Sequence, residues 1–511
     1  MIRTRFQSAK VNMVTTLLYQ LVIIASGIVV PKFMILYYGS DTYGATSSIT
    51  QFLSYVALLE GGIGSVARAE LYEPLADGDG LGISRIYNAI SRVFRVIGYA
   101  FIAYTVILAC CYNKIADVSF LESSYTFCLV IAIGVSSIAQ YFFGIANLVL
   151  LNADQKRYVS NMVMIVTTAL NAILVIVLIK AGCDILTVKI CSSSIFILRP
   201  VFFSAYVKRH YRIDKKLKPG KNVLEQKWTG LGQHFAYFLH THTDVAVLTI
   251  MADLKWVSVY TVNNFVISSI RNIVTALTGG MEAIFGEIVA KQEKDALKST
   301  YGYYDLFISC ATLILFGTTA VLIEPFIRIY TKNITDAQYI QPVFVMVMLF
   351  AEAIDCMFLP CTTLPIAANK FKDIRWGAYG EALLNVGLSC VLVLWKPLEG
   401  IAIATAVSIL YKNIFYFVYV SKNILQAPFS YGKRYILYTA VLLTVAGAGY
   451  AMVSAIDISS MLAWVVCGFV TFVCVSTVVL GTYTLIYGRE FAAVVRKAAK
   501  GFVGRRKKKQ L

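Results

Sequence analysis

The chain of 511 residues is 58% hydrophobic and only 14% charged, where soluble domains run at about 45–50% and about 25%. Its 46 Lys and Arg outnumber 28 Asp and Glu, for a formal net charge of +18. These figures exclude a soluble multidomain enzyme, a disulfide scaffold and a disordered chain, and they predict an all-α integral membrane protein.

The first apolar stretch, Val11 to Leu36, is too long for a secretory signal core and has no small-residue cleavage site, so it is expected to stay as a first helix. Apolar runs and the polar breaks between them predict fourteen spans, near 12–37, 43–66, 88–112, 123–150, 158–180, 184–207, 229–251, 256–280, 303–328, 339–365, 376–396, 399–421, 434–453 and 461–486. Fourteen spans of about 20 residues would use about 280 apolar residues, close to what this composition supplies. Connections on one side are short, such as Gly39–Thr42, Ala252–Lys255 and Pro397–Leu398, and the longest is Tyr112–Glu122.

Charge tests the order of these spans independently. The two termini and the loops after the even-numbered helices, with the helix ends that adjoin them, hold 35 Lys and Arg. The opposite side holds eight, among them Lys114, Lys189 and Lys396, while Arg199, Arg271 and Lys412 fall inside spans. This bias predicts that both termini are cytoplasmic. It also explains the basic runs Lys208–Lys227 and Arg505–Lys509, where attraction to anionic headgroups suffices and no nucleic acid is needed as partner. The eleven cysteines form no CxxC pair, and they read as small apolar packing residues. His240 and His242 stand two apart and point different ways on a helix. No metal site or resident cofactor is expected.

The fifth and eleventh spans echo each other at an offset of 214 residues, with identities including Ala153/Ala367, Lys156/Lys370, Asn171/Asn385 and Val177/Val391. The turns Ser40-Asp41 and Ala252-Asp253 repeat at 212. Either offset equals six helices, so the two copies are expected to face the same way. This predicts an N-terminal six-helix bundle over 1–210, a basic linker over 211–228, a second bundle over 229–425, two appended helices over 426–487 and a basic tail over 488–511. Secondary transporters of alternating-access type use such repeats, with the substrate path at the repeat interface.

The stretch from the first to the second span, VVPKFMILYYGSDTYGATSSITQFLSYVALLEGGIGSVARAE, resembles the N-terminal signature of the bacterial oligosaccharide (O-antigen-type) flippases. These belong to the multidrug/oligosaccharidyl-lipid/polysaccharide exporter superfamily. The matching elements are Gly39, Tyr43, Gly44, Glu60, Gly62 and Gly64. The segments LLNADQKRYVSNMVMIVTTALNAILVIVLIK and LPIAANKFKDIRWGAYGEALLNVGLSCVLVLWKPLEGIAIATAVS are similar to the family's middle and late parts. The likeness covers most of residues 10–425 at the level of pattern. It implies movement of an undecaprenyl-pyrophosphate-linked oligosaccharide across the bacterial cytoplasmic membrane for O-antigen (lipopolysaccharide), capsule or exopolysaccharide synthesis. The implied partners are membrane lipids, a polysaccharide polymerase and glycosyltransferases.

Such a cargo cannot cross hydrocarbon unaided, because each unsatisfied polar group costs several kcal/mol. Cations in a polar cavity would hold the pyrophosphate. Arg271 lies well inside the eighth span, where a charge costs about 2.5–3.5 kcal/mol on insertion scales, so it is the first candidate, with a structural pairing to a carboxylate as its alternative. Lys412, Arg199 and Arg68 follow, Arg199 with snorkelling and Arg68 with interfacial anchoring as the plainer accounts. The intramembrane acids Glu60, Asp244, Glu352, Asp355 and Glu381 are candidates for coupling to H+ or Na+, or else for neutralising the cations. Glu352 and Asp355 share a helix face, as do His240 and Asp244. Asn171, Asn263, Asn264 and Asn385 are candidates to bond either sugars or neighbouring helices. Pro360 and Pro365 break the tenth span, as a hinge or a plain terminus.

Two relatives of the same architecture compete, a multidrug cation antiporter and a lipid II flippase. A polymerase or glycosyltransferase would need a large outer loop or a soluble catalytic domain, and the chain has room for neither, so no enzymatic activity is expected.

Overall fold

The structure is a computed structural model, and it describes residues 5–60, 63–218, 231–278, 280–426, 431–454, 456 and 458–503. Among them there is no strand. The helices are α1 (Arg5–Ser54), α2 (Ala57–Glu60), α3 (Ile63–Asp77), α4 (Gly80–Ile115), α5 (Ser123–Phe143), α6 (Ile145–Ala153), α7 (Arg157–Lys180), α8 (Ile185–His210) and α9 (Leu231–Met251). They continue with α10 (Leu254–Leu277), α11 (Met281–Ala290), α12 (Lys294–Tyr330), α13 (Pro342–Met357), α14 (Leu359–Ala367), α15 (Phe371–Leu392), α16 (Pro397–Tyr419), α17 (Gly432–Ser454) and α18 (Met461–Val503). The protein is an all-α integral membrane protein. Side chains such as Leu383, Leu394, Leu462, Phe469 and Leu485 are exposed along its helices, as a hydrocarbon solvent requires.

All fourteen expected spans fall on helices, but the expected number is not reached on length and apolarity. Among the described residues ten helices are long and apolar enough to cross a membrane, or eleven if α13 and α14, bent by 41°, form one span. Three of the expected spans are not counted on their own. Within Arg5–Ser54 two helices meet at a kink at Gly39, where a turn was expected, so the first two expected spans are counted there as one. The described apolar part of α9 is His242–Met251. And α15 opens on Lys372, Asp373 and Arg375.

Gly39 makes the kink possible. Its φ of 83° and ψ of 166° lie in a region that L side chains avoid. The turn is closed by Asp336, whose carboxylate accepts from the Ser40 amide at 2.6 Å and from Ser40 Oγ at 2.8 Å. Gly44 serves close approach, because a Cβ there would stand 1.9 Å from the Leu254 carbonyl oxygen.

By contacts the chain divides into two compact units, residues 1–261 with 334–337, and 262–333 with 338–511. The expected division fell instead between 210 and 229. The first unit keeps α9 because α9 is bonded to α1: Thr249 Oγ1 donates to Ser48 Oγ at 2.8 Å, and Gln51 bonds His242. Within the first unit α7 packs on α1 and α8, and α5 on α4 and α8. Within the second unit α16 packs on α13 and α15. Here α17 and α18 both pack on α12, through Tyr438 to Asp305, Tyr483 to Ser309 and Trp464 to the Leu322 carbonyl.

The internal repeat extends well beyond the sequence echo. Helices α4, α6 and α7 start at 80, 145 and 157, while α12, α14 and α15 start at 294, 359 and 371. Each pair is separated by the same 214 residues. The left-handed turns repeat too, with positive φ at Gly78 and Gln292 and again at Gln155 and Asn369. After the second pair the same bond closes the turn, Lys156 N to Leu151 O at 2.8 Å and Lys370 N to Pro365 O at 2.9 Å.

Candidate functional site

Two polar constellations lie inside these apolar helices, one in each unit. In the second unit α10 supplies Arg271, α13 supplies Glu352 and Asp355 one turn apart, α15 supplies Glu381 and α16 supplies Lys412. Arg271 Nε is 3.1 Å from Glu352 Oε2, and its Nη2 is 3.1 Å from Asp355 Oδ2. Lys412 Nζ lies 3.0 Å from Asp355 Oδ1 and 2.8 Å from Glu381 Oε1. Asp355 therefore bridges both cations, and every member is at most 19% exposed. Three carboxylates surround two cations, leaving one formal negative charge in excess. A buried charge is tolerated only when paired in this manner. The expected face shared by Glu352 and Asp355 exists, and what it meets is Arg271.

The first unit holds a cavity of about 420 Å³, bounded by α1, α2, α4, α5, α6 and α8. Three helices each present one stripe at i, i+3, i+4, i+7 spacing. On α1 the stripe includes Thr50 and Ser54; on α5 it includes Ser136, Ser137, Gln140 and Tyr141; on α8 it includes Lys189, Ser192 and Ser193. Glu60 of α2 completes the wall and accepts a hydrogen bond from Tyr141 Oη at 2.6 Å. Lys189 is half-buried and makes no ion pair or hydrogen bond among the described residues. The charge tally counted Lys189 on the outer side, and the expected span 184–207 already held it; in the structure it lies one turn inside α8, which begins at Ile185. The signal that marks these residues in the sequence is the periodic run of hydroxyls, which ordinary apolar-span counting passes over.

The remaining candidates are dispersed. Arg199 does not snorkel to an interface: Nε donates to Thr167 Oγ1 and Nη2 to Thr168 Oγ1, both at 2.8 Å, with its guanidinium stacked over Phe196 at 4.3 Å. It stands behind the cavity wall, of which Phe196 is part. Arg68 is half-buried on α3. Asp244 is buried and accepts from Tyr260 Oη at 2.7 Å, while the side chain of His240, its expected partner, lies outside the described residues, as does Gly62. Asn385 bonds the neighbouring helix through Thr405 Oγ1 at 3.1 Å, and Asn263 bonds the Tyr339 carbonyl. Asn171 is buried on α7 and Asn264 half-buried on α10. Pro360 stands in the first turn of α14, where a missing N–H costs nothing, and Pro365 lies inside that helix. Among the described residues no three His, Cys, Asp or Glu side chains form a metal site, and the cysteines are unpaired thiols.

In sequence the chain matches no protein-family model, and no curated protein resembles it. In structure it is similar to a lipid II flippase, MurJ, in an inward closed conformation, with a TM-score of 0.68 at 14% identity over 93% of this chain and 99% of the other. It is similar to an inward-facing multidrug resistance MATE family transporter of the MOP superfamily, with a TM-score of 0.60 at 13% identity over 78% and 95% of the two chains. The Vibrio cholerae MATE transporter VcmN in its bent form gives 0.51 at 14% identity over 87% and 98%. The fold is that of the MOP-superfamily transporters.

Proposed function

We propose that the chain is a flippase that carries a lipid-linked oligosaccharide, built on a polyprenyl pyrophosphate, between the leaflets of a bacterial cytoplasmic membrane for polysaccharide assembly. The observation that carries this reading is the cavity of about 420 Å³ lined with hydroxyls, an amide and Lys189 inside otherwise apolar helices. Its size suits a ligand pocket, and its lining can replace the water that sugar hydroxyls lose. Agreement in length with the lipid II flippase, α17 and α18 included, favours a lipid-borne cargo. Arg271 and Lys412 would engage the pyrophosphate by exchanging their carboxylates for it, and the excess carboxylate would take up H+ or Na+.

A second reading, export of cationic drugs, is favoured by Glu60 on the cavity wall and by the surplus negative charge of the Arg271 network. One experiment separates the two. The full chain is reconstituted in vesicles with a fluorescent polyprenyl-pyrophosphate disaccharide, and leaflet accessibility is followed beside ethidium uptake. Equilibration of the lipid without ethidium transport is expected; ethidium transport alone would establish the drug reading in its place.

A further inference from the structure

We propose that the cavity of the first unit binds a sugar ring bearing one negative charge, an acidic monosaccharide unit, with Lys189 as its counter-ion, and that the pyrophosphate is held elsewhere. The inference rests on the transport reading but concerns this pocket alone. A lysine one turn inside a membrane helix, facing open space and without a partner among the described residues, is costly unless something anionic meets it. The ammonium is a compact point charge, suited to one carboxylate; bidentate capture of a phosphate group is better done by arginine.

Among the described residues the other charged side chain on the wall is Glu60. With Lys189 it sums to zero, so a multiply charged pyrophosphate would be uncompensated there. A singly charged ring is compensated by Lys189, while the Glu60 carboxylate accepts from ring hydroxyls. Ser136, Ser137, Ser192 and Ser193 bond in either sense, as sugar hydroxyls require. Phe101 and Phe196 supply apolar faces on the same wall. The stripes on α5 and α8 extend over nine and eight residues, about 10–12 Å of helix length, so the pocket can hold a ring and part of its neighbour.

The test is saturation-transfer NMR on the detergent-purified full chain, with sodium glucuronate, glucose and sodium acetate as probes. Glucuronate is expected to bind about tenfold more tightly than glucose or acetate. Lys189→Gln should remove that preference and Lys189→Arg keep part of it, while Lys114→Gln, on an exposed site, should change nothing. Equal binding of glucuronate and glucose, saturation by acetate alone, or an unaltered Lys189→Gln variant would each overturn the proposal. The vesicle assay keeps the two failures apart: lipid transfer without glucuronate binding removes only the acidic-sugar site, and binding without transfer removes only the flippase reading.

Discussion

The two copies of the repeat share helix starts, turn geometry and register, yet differ in what fills the interior. At the 214-residue spacing Tyr141 corresponds to Asp355, and Thr167 to Glu381. In the second copy Lys412 on α16 reaches Glu381 on α15. In the first, Arg199 on α8 reaches Thr167 on α7. The same cross-helix contact joins two charges in one copy and a charge to a hydroxyl in the other. With carboxylates the interior closes into a salt-linked knot; with serines, threonines and Tyr141 it stays open as a cavity. A duplicated scaffold can thus carry a charge-paired half and a hydroxyl-lined half without any change of topology.

The sharpest way to break this comparison is to remove the hub of the knot. Asp355→Ala leaves both Arg271 and Lys412 short of a partner and should cost about 3–5 kcal/mol, read as a lowered unfolding midpoint in detergent. Pairing Lys412→Met with Glu381→Gln should cost less than Lys412→Met alone, since charge is then removed together with its counter-charge. A loss below about 1 kcal/mol for Asp355→Ala would mean that the knot is not what stabilises the second copy.

The corresponding change in the first copy should be milder. Arg199→Met abolishes two hydrogen bonds but strands no charge, and Thr167 keeps its bond to the Val163 carbonyl. A cost of about 1.5 kcal/mol is expected, measured under the same conditions. If it matched Asp355→Ala, the distinction between the two interiors would disappear.

The smallest effect tests the shared geometry. Gln155 and Asn369 both hold φ near 55°, a conformation that glycine adopts without strain. Gln155→Gly should stabilise by up to about 1 kcal/mol, and Asn369→Gly by less, because asparagine tolerates the left-handed region better than glutamine. Equal shifts would show that the side chain at these turns is indifferent.

Much of the architecture was legible in the residues. The apolar runs located the long helices but not α11 (Met281–Ala290), which lies outside every expected span, and Lys156/Lys370 with Asn171/Asn385 disclosed the repeat because polar identities at one register are rare in membrane chains. Arg271, Lys412 and the three acids stood out for their insertion cost. Their mutual pairing was one of two open alternatives, since spacing along one helix says nothing about which neighbouring helix it faces. Lys189 was counted only as an outer-side charge, because hydropathy does not say which face of a helix a side chain takes. The break expected at Gly39 is there, shortened to a kink between two helices, because a glycine signals a break without saying how long it is.

From its sequence alone the chain determines that it must lie in a membrane, where its helices run and that they form two copies. Those properties follow from solvent transfer, which acts on each segment separately. Only the tertiary structure decided that the charges of one copy pair around Asp355 while Lys189 in the other faces an open, hydroxyl-lined space. Pairing depends on distances between side chains far apart in the chain, and composition carries no record of those distances.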